Sequence, residues 1–414
     1  MEINRDYYLN KLIKSQNNKL VKIITGIRRC GKSYLLNTMF LNYLKKQGID
    51  KDHIIKMAFD IPKNKKYHDP EVLYDYFENL IKDNKTYYFL LDEIQEVKEF
   101  ESVLNGLLRI ENTDVYVTGS NSKFLSTDII TEFRGRGDEI RVYPLSFFEV
   151  SSIYDDMVLA WGDYYTYGGL PSVVLEKDVE KKMNYLKYQA DNVYINDVIE
   201  RNNIQHKEIL STLIKIISSG IGSLTNPTNL SNTFTSKKMP ITDKTISAYL
   251  SYLEDAFLIE KTKRYDIKGK RYISTPFKYY FTDIGIRNSL LNFSQQEQNH
   301  LMENIIYNEL KVRGFSVDIG VVEHNYVENG KNIKKQLEID FVCIKGNNKY
   351  YIQSAFAILD KDKMEQETNS LTKINDSFKK IVIVKNSIKM WRNNKGILIM
   401  DVQDFLLNKN SLDL

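Results

Sequence analysis

The sequence predicts an α/β protein whose N-terminal part is a parallel sheet with helices on both faces. Residues 20–25, 86–91 and 114–118 are short runs rich in apolar and β-branched residues, and each leads into glycine or acidic side chains. A strand that is buried on both faces is a continuous apolar run of this kind. The first run is followed by apolar residues at helical spacing, which predicts a helix. These residues are Leu35, Leu36, Met39, Phe40 and Leu44.

The composition favours a cytoplasmic protein of several domains. With 414 residues, of which 42% are hydrophobic, the chain is long enough for about two to four domains. It contains no apolar run of about 18 residues, so we expect no membrane span. Cys30 and Cys343 are the only cysteines, which predicts a reducing compartment rather than a disulfide framework. The formal net charge of +4 neither demands nor excludes a nucleic-acid partner.

Residues 26–33 match the phosphate-binding consensus G-x-x-x-x-G-K-[ST] at every fixed position, between a predicted strand and a predicted helix. Gly26 and Gly31 allow the backbone N–H groups to face phosphate oxygens, and the helix N-terminus adds a partial positive charge. We expect Lys32 to reach the β- and γ-phosphates of ATP and the Ser33 hydroxyl to ligate Mg²⁺. The predicted ATP-binding residues are Gly26, Ile27, Arg28, Arg29, Cys30, Gly31, Lys32, Ser33 and Tyr34.

An acidic pair follows the second predicted strand. Asp92 and Glu93 come directly after the apolar run of residues 86–91. Ligands bind at the carboxyl ends of the strands in open α/β sheets, so both carboxylates are expected near the phosphates. Asp92 fits the role of holding Mg²⁺, directly or through a water molecule. Glu93 is placed to polarise the attacking water as a general base, which predicts a magnesium-dependent ATP hydrolase.

Two further segments carry candidates for contact with the γ-phosphate. Ser120 and Asn121 follow the third predicted strand, and either side chain could contact the γ-phosphate or hold the water; a plain turn is the alternative. Arg134 and Arg136 precede a strand predicted at residues 140–143. Arginine stabilises a transferring phosphoryl group, either in cis or from a neighbouring subunit in trans. A solvated basic turn is the alternative for this segment.

In combination, these residues resemble the AAA+ superfamily ATPases of bacteria and archaea, in which an AAA-type core precedes a winged helix and a nuclease-like region. The resemblance covers nearly the whole chain and rests on residues 26–33 (GIRRCGKS), 90–93 (LLDE), 118–121 (TGSN), 135–136 (GR), 144–147 (PLSF) and 168–171 (GGLP). It implies ATPase chemistry with Ser120 as the sensor and Arg136 as the family's arginine. It implies the standard P-loop roles for Lys32, Ser33, Asp92 and Glu93. It also implies assembly, and a homo-oligomer is therefore a candidate state.

The succession of helical and strand patterns predicts four parts. We expect an AAA-type core at residues 1–150, a helical lid at 151–205, a winged helix at 206–290 and a nuclease-like domain at 291–414. The winged helix is predicted from amphipathic helices followed by two strand-like runs with a turn between them.

The predicted hairpin of the winged helix is basic and carries interleaved tyrosines. Basic wings contact the phosphate backbone and aromatic rings stack on bases, so duplex DNA is a candidate partner. The alternative is a winged helix that contacts protein, with a solvated wing. The basic residues are Lys261, Lys263, Arg264, Lys268, Lys270, Arg271 and Lys278.

The last part of the chain resembles the layout of restriction-endonuclease-like folds. A predicted helix carries Glu303, the following strand carries Glu338 and Asp340, and a second strand comes next. In such folds, acids and a lysine on the second strand bind metal and activate water. Here that strand has Gln353 and Ala355 at the positions of the acid and the lysine. We therefore predict a nuclease-like fold without nuclease activity.

Three functional hypotheses follow from these patterns. The first is an ATPase whose nucleotide state moves the lid and the winged helix, since γ-phosphate contacts vanish on hydrolysis. The second is a nucleotide-gated adaptor with negligible turnover, against which the intact Glu93 argues. The third is an ATP-regulated, metal-dependent nuclease, against which Gln353 and Ala355 argue.

Overall fold

The computed structural model of the protein describes residues 3–119, 135–294, 297–328, 331–358, 360–385 and 389–414. The chain divides into two compact units. The first consists of Met1–Pro144, Leu170–Leu175 and Asp255–Phe257. The second consists of Leu145–Gly169, Glu176–Glu254 and Leu258–Leu414. Within the described residues, no helix is long and apolar enough to cross a membrane.

The first unit is built on a sheet of five parallel strands, which confirms the predicted fold class. The strands are β1 (Val21–Thr25), β2 (Ile54–Ala58), β3 (Tyr87–Asp92), β4 (Thr113–Thr118) and β5 (Gly137–Arg141). Their order in the sheet is β2-β3-β4-β1-β5. The three central strands β1, β3 and β4 are buried along their whole length. Because all strands are parallel, their carboxyl ends lie at one edge, where such sheets bind ligands.

Helices of the first unit bury apolar faces against this sheet. The helix Pro70–Leu80 begins at Asp69, whose side chain accepts two backbone N–H hydrogen bonds, and proline occupies its first position. The rings of Phe77 in this helix and Phe89 in β3 meet edge to face, with centroids 5.0 Å apart. The α-helices of this unit are Asp6–Lys14, Lys32–Tyr34, Leu41–Lys46, Pro70–Leu80, Phe100–Leu107 and Pro171–Val174. Other helical segments are Leu35–Phe40 (π) and Lys51–His53, Pro62–His68 and Ile94–Glu96 (3₁₀).

The second unit begins with helices at the positions where the sequence predicts helices. The helix Pro227–Ser236 was not predicted, because Leu230 and Phe234 alone mark its buried face among Thr, Ser and Asn. Its N-cap signal is nevertheless present, since the Asn226 side chain accepts from the Asn229 N–H at 2.7 Å. The α-helices are Phe147–Ser151, Met157–Tyr167, Val179–Tyr188, Asn196–Arg201, Lys207–Ser219, Pro227–Ser236, Asp243–Asp255 (to Glu254 in this unit), Ile284–Leu290, Gln298–Val312, Lys361–Thr372 and Val402–Leu407. This unit also contains a π-helical segment at Gln189–Ile195 and a 3₁₀ turn at Ser411–Asp413.

The second unit contains a mixed sheet of eight strands. They are β6 (Ile259–Asp266), β7 (Arg271–Phe281), β8 (Ser316–Glu328), β9 (Lys331–Lys345), β10 (Asn348–Ala355), β11 (Lys379–Val384), β12 (Trp391–Arg392) and β13 (Leu398–Asp401). Their order is β12-β13-β11-β10-β9-β8-β6-β7. Strands β10, β11 and β13 pair in parallel, whereas β8, β9 and β10 pair antiparallel.

The basic hairpin belongs to this same sheet. Strands β6 and β7 form the predicted hairpin, and β6 also pairs in parallel with β8, with Arg264 opposite Ile319. The predicted boundary between residues 290 and 291 therefore separates segments that share one sheet. Sequence patterns predict strands but not their partners, so a hairpin that extends a distant sheet looks the same as an independent wing.

Close backbone packing explains the double glycine of the G-G-L-P segment. A Cβ atom on Gly169 would lie 2.1 Å from the Leu145 carbonyl oxygen, so only glycine fits there. The Gly169 N–H donates to the buried Asp283 carboxylate at 2.8 Å. Burial raises the pKa of Asp283 to about 6, although hydrogen bonds from backbone N–H groups, including that of Gly169, oppose the rise. Gly169 is thus a tightly packed backbone position of the second unit, at the break that the Gly-Gly-Pro content predicts.

Candidate nucleotide-binding site

The phosphate loop follows β1 and turns on its two glycines. Gly26 has φ 137°, and a Cβ atom there would lie 2.1 Å from the Val142 carbonyl oxygen. Gly31 has φ 99° and immediately precedes the helical segment that starts at Lys32. Both conformations are readily available only to glycine. The loop backbone therefore has the shape that the consensus predicts, with its N–H groups at a helix N-terminus.

The Lys32 side chain is buried inside this loop. Its Nζ donates to the carbonyl oxygens of Gly26 and Ile27 at 2.9 and 3.1 Å. A lysine ammonium has three donors, so phosphate oxygens entering the loop would compete with these carbonyls for it. Arg28 and Arg29 lie on the exposed side of the loop. Of the basic residues in the motif, Lys32 is thus the one that already points inward.

Asp92 is the centre of the polar network at the carboxyl edge of the sheet. Its Oδ1 accepts from the Ser33 hydroxyl at 3.0 Å and also from the Thr118 hydroxyl. Its Oδ2 accepts from the Asn37 side-chain amide at 2.9 Å. Burial raises the pKa of Asp92 against the opposing effect of the Thr118 and Ser33 hydrogen bonds. Ser33 and Asp92, predicted as magnesium ligands, are thus brought together, and hydroxyl and carboxylate oxygens are ligands that Mg²⁺ accepts.

Glu93 is held beside this network by its backbone and by its side chain. Its φ of 53° lies in the left-handed region, which is uncommon for a residue other than glycine. Its N–H donates to the Thr118 hydroxyl oxygen at 3.0 Å, and its carboxylate accepts from the Gln95 side-chain amide. Sparsely populated backbone conformations persist where the surrounding structure determines them, and they cluster at functional sites.

Three residues of this network were missed by the sequence reasoning. Asn37 lies four residues after Ser33, on the same helical face, and its position among apolar neighbours is a signal that could have revealed it. Thr118 was predicted only as the end of a strand and as part of the T-G-S-N resemblance, and Gln95 was not among the predicted residues. The contacts of Thr118 with Asp92 and Glu93 depend on how β3 and β4 pair, which the sequence does not state. The Gln95 amide lies only two residues from Glu93, so its contact is local.

A buried arginine near the N-terminus contacts the phosphate loop. The Arg5 guanidinium donates to the Cys30 carbonyl at 2.8 Å and to the Tyr143 carbonyl at 2.7 Å. It therefore links the loop to the chain that follows β5. Charged hydrogen bonds of this kind, with the donor buried, are strong enough to fix a loop conformation.

Of the residues predicted to contact the γ-phosphate, some lie outside the described part of the chain and one lies far from the phosphate loop. Ser120, Asn121 and Arg134 lie outside the described residues. Arg136 lies at the amino-terminal end of β5, where its carbonyl accepts from the Val21 N–H at 2.9 Å. It is therefore about 15 Å from the carboxyl edge of the sheet. This position does not fit the predicted action of Arg136 at the site of its own chain, and only action in trans stays a prediction.

In the second unit, the basic residues of the hairpin divide into an exposed group and a buried one. The side chains of Lys261, Lys263, Lys268, Lys270 and Arg271 are exposed, and Arg264 is half-buried. Lys278 is buried, so its inclusion among the surface residues of the wing was wrong. It lies instead with the acids predicted for a nuclease-like site, Glu303, Glu338 and Asp340.

Two family models and several known proteins are similar to this chain. The model of the family described as an AAA domain matches residues 18–151, and that of a domain of unknown function matches residues 159–297. An uncharacterized protein of Haemophilus influenzae is 35% identical over 98% of this chain and 98% of its own length. One of Methanocaldococcus jannaschii is 30% identical over 90% of this chain and 81% of its own. The solved structure of a Walker-type ATPase of Pyrococcus abyssi covers 70% of this chain and 96% of its own, with a TM-score of 0.49 and 15% identity.

The parallel sheet, the phosphate loop and the acidic pair at the carboxyl edge define a P-loop nucleotide-binding fold. The AAA-domain match and the full-length relatives then assign the chain more closely. The protein belongs to the AAA-type P-loop ATPase family, as the resemblance predicted.

Proposed function

We propose that this protein binds ATP together with Mg²⁺ and hydrolyses it. The observation that carries the proposal is the 3.0 Å contact between Ser33 Oγ and Asp92 Oδ1, next to a phosphate loop that holds Lys32 inside it. Ser33 and Asp92 would hold a magnesium ion, directly or through water, and the ion would supply positive charge next to the phosphates of ATP. Lys32 would neutralise charge on the same phosphates.

In this proposal Glu93 is the base that polarises the attacking water. Thr118 contacts both the Asp92 carboxylate and the Glu93 backbone, so it would fix the spacing between the metal ligand and the base. The Gln95 amide on the Glu93 carboxylate would control which way that carboxylate points. A nearby hydrogen bond of this type orients a general base without itself taking part in proton transfer.

Replacing Lys32 with alanine is expected to lower the affinity for ATP by about 10- to 100-fold. The substitution removes a charge-assisted hydrogen bond to phosphate, which contributes about 1.5–3 kcal/mol. The measurement is an equilibrium titration with a fluorescent ATP analogue in the presence of Mg²⁺. Lys45, an exposed lysine on the same helical stretch, gives the matched control Lys45→Ala, which should bind as wild type does. Equal affinity of folded Lys32→Ala and wild type would refute the proposed site.

A second candidate function, binding of duplex DNA, is favoured by the exposed basic residues of the hairpin. Lys268, Lys270 and Arg271 cluster at its turn, and Tyr272 next to them is 59% exposed. Lysine and arginine on such a surface bind the phosphate backbone and release counterions. We propose that this hairpin is a DNA contact of a winged helix and that ATP turnover in the first unit responds to it.

The triple variant Lys268→Ala, Lys270→Ala, Arg271→Ala is expected to weaken DNA binding and to reduce its salt dependence. Each lost phosphate contact lowers the slope of log K against log salt by about 0.9, so the slope should fall by about 2–3. Fluorescence anisotropy with a labelled duplex at several salt concentrations measures this. The matched control removes Lys63, Lys65 and Lys66, which are exposed lysines of the first unit. An equal loss in both triple variants would indicate attraction by net charge rather than by the hairpin.

Coupling between the two functions is tested by steady-state ATP hydrolysis with and without duplex DNA. Acceleration by DNA that the hairpin variant abolishes would support a DNA-coupled ATPase. ATP binding without turnover under either condition would instead support the nucleotide-gated adaptor.

A further inference from the structure

The buried ammonium of Lys278 lies among three carboxylates in the second unit. Lys278 Nζ is 2.7 Å from Glu338 Oε1, 2.9 Å from Glu303 Oε1 and 3.9 Å from Asp340 Oδ1. The side chains of Lys278, Glu303 and Asp340 are buried, and that of Glu338 is about one-third exposed. An ammonium on the hairpin strand β7 is therefore surrounded by acids from the helix Gln298–Val312 and from β9.

Other contacts fix the direction of these carboxylates. The Tyr280 hydroxyl donates to Glu303 Oε1 at 2.6 Å, and the Ser354 N–H donates to Asp340 Oδ2 at 2.8 Å. Glu303 and Asp340 therefore each have at least one partner in the surrounding structure besides the ammonium they face. The acids converge because the fold holds them there, and the position of the lysine alone does not explain it.

The charges of the cluster favour a permanent cation at its centre. Burial tends to lower the pKa of Lys278, but Glu303, Asp340 and Glu338 outweigh it, and the pKa lies above its usual value. Burial likewise tends to raise the pKa of Glu303, but the Lys278 charge together with the His300 and Tyr280 hydrogen bonds outweighs it and holds this pKa below its usual value. Burial and the negative charge of Glu303 raise the pKa of Asp340. The lysine is thus charged, and Glu303 is its principal counter-ion.

Convergent carboxylates are the ligand set that proteins present to hard cations such as Mg²⁺, Mn²⁺ and Ca²⁺. We propose that the Lys278 ammonium occupies the position of a divalent cation in this site, so that the carboxylates are closed to metal ions in this protein. Shortening Lys278 would then leave a buried carboxylate site that accepts a hard cation in its place. The inference concerns the second unit and is independent of the proposed ATPase activity.

The distances make such an exchange feasible. Calcium–oxygen distances are about 2.3–2.6 Å, so Glu303 and Glu338, now at 2.9 and 2.7 Å from the ammonium, would need to move by only a few tenths of an ångström. Without any cation, two or three acids would face one another in a buried space. Such groups either take up protons or take up a counter-ion.

The test is terbium binding by full-length Lys278→Ala and wild type. Terbium is a hard cation whose luminescence is excited through a nearby tyrosine, and the Tyr280 hydroxyl lies 2.6 Å from a Glu303 oxygen. We expect Lys278→Ala to bind one more terbium ion per chain than wild type, with tyrosine-sensitised emission. The added variant Lys278→Ala/Glu303→Gln should lose this emission. Any terbium at the nucleotide site is common to all three proteins and cancels in the comparison.

A matched control removes a different buried lysine. The Lys22 ammonium contacts the carboxylate of Asp114 rather than three converging acids, so Lys22→Ala should gain no terbium. A second measurement serves if Lys278→Ala is unstable: its urea midpoint should rise with added Ca²⁺, because a cation that binds the folded state stabilises it. Wild-type emission that depends on Glu303 would overturn the proposal. The proposal would also be overturned if Lys278→Ala neither binds additional terbium nor becomes more stable with added Ca²⁺.

Discussion

Glutamine in place of Glu93 is expected to slow ATP hydrolysis by about 10²- to 10⁴-fold, which is the range that a positioned general base contributes. Glutamine has nearly the same shape, and the Glu93 backbone N–H that donates to Thr118 remains. The glutamine side chain, however, cannot accept a proton from the attacking water. Affinity for ATP should therefore stay close to that of wild type, since the residues of the phosphate loop are unchanged.

Phosphate release in single-turnover and steady-state assays measures this effect, with ATP binding determined separately. Glu96, an exposed acid on the same turn, gives the matched control Glu96→Gln, which should retain wild-type turnover. A Glu93→Gln protein as fast as wild type would exclude Glu93 as the base. If wild type itself shows no turnover, the protein is better described as a nucleotide-binding switch.

The positions of the phosphate-loop residues in the fold could be predicted from the sequence because that information is local. The order strand, glycine loop and helix fixes where Lys32 and Ser33 lie, and a buried strand that ends in Asp92 fixes the carboxyl edge. Site residues whose position depends on strand pairing could not be predicted from local patterns. Thr118 joins the site only because β4 lies beside β3, and Arg136 leaves it only because β5 runs parallel to β1.

The second unit illustrates the same limit over longer distances. The resemblance to restriction-endonuclease-like folds implied that Glu303, Glu338 and Asp340 belong to one site. The cation between them comes from Lys278, which was assigned to an exposed wing on the basis of composition. Whether a hairpin lysine is exposed or buried depends on which strand the hairpin pairs with, and here β6 pairs with β8. Local patterns do not contain that pairing.

A buried ion pair in the first unit leads to the second large effect. Lys22 of β1 and Asp114 of β4 are both buried, and the Lys22 ammonium contacts the Asp114 carboxylate. Asp114 also accepts from the Tyr116 hydroxyl at 2.9 Å. Lys22→Met is expected to lower the free energy of unfolding by about 3–5 kcal/mol, because it leaves a buried carboxylate without its counter-charge. Urea unfolding of the whole chain, compared with wild type, measures the loss.

The double variant Lys22→Met/Asp114→Asn should recover most of this loss. Burial lowers the pKa of Lys22 and Asp114 opposes that shift, so burial disfavours the charged form of this lysine. A neutral pair avoids that cost, and asparagine still accepts the Tyr116 hydrogen bond. Replacement of a buried ion pair by neutral groups is often tolerated for this reason. If the two single losses simply add in the double variant, Lys22 and Asp114 contribute independently, and the mutual dependence inferred from their contact is wrong.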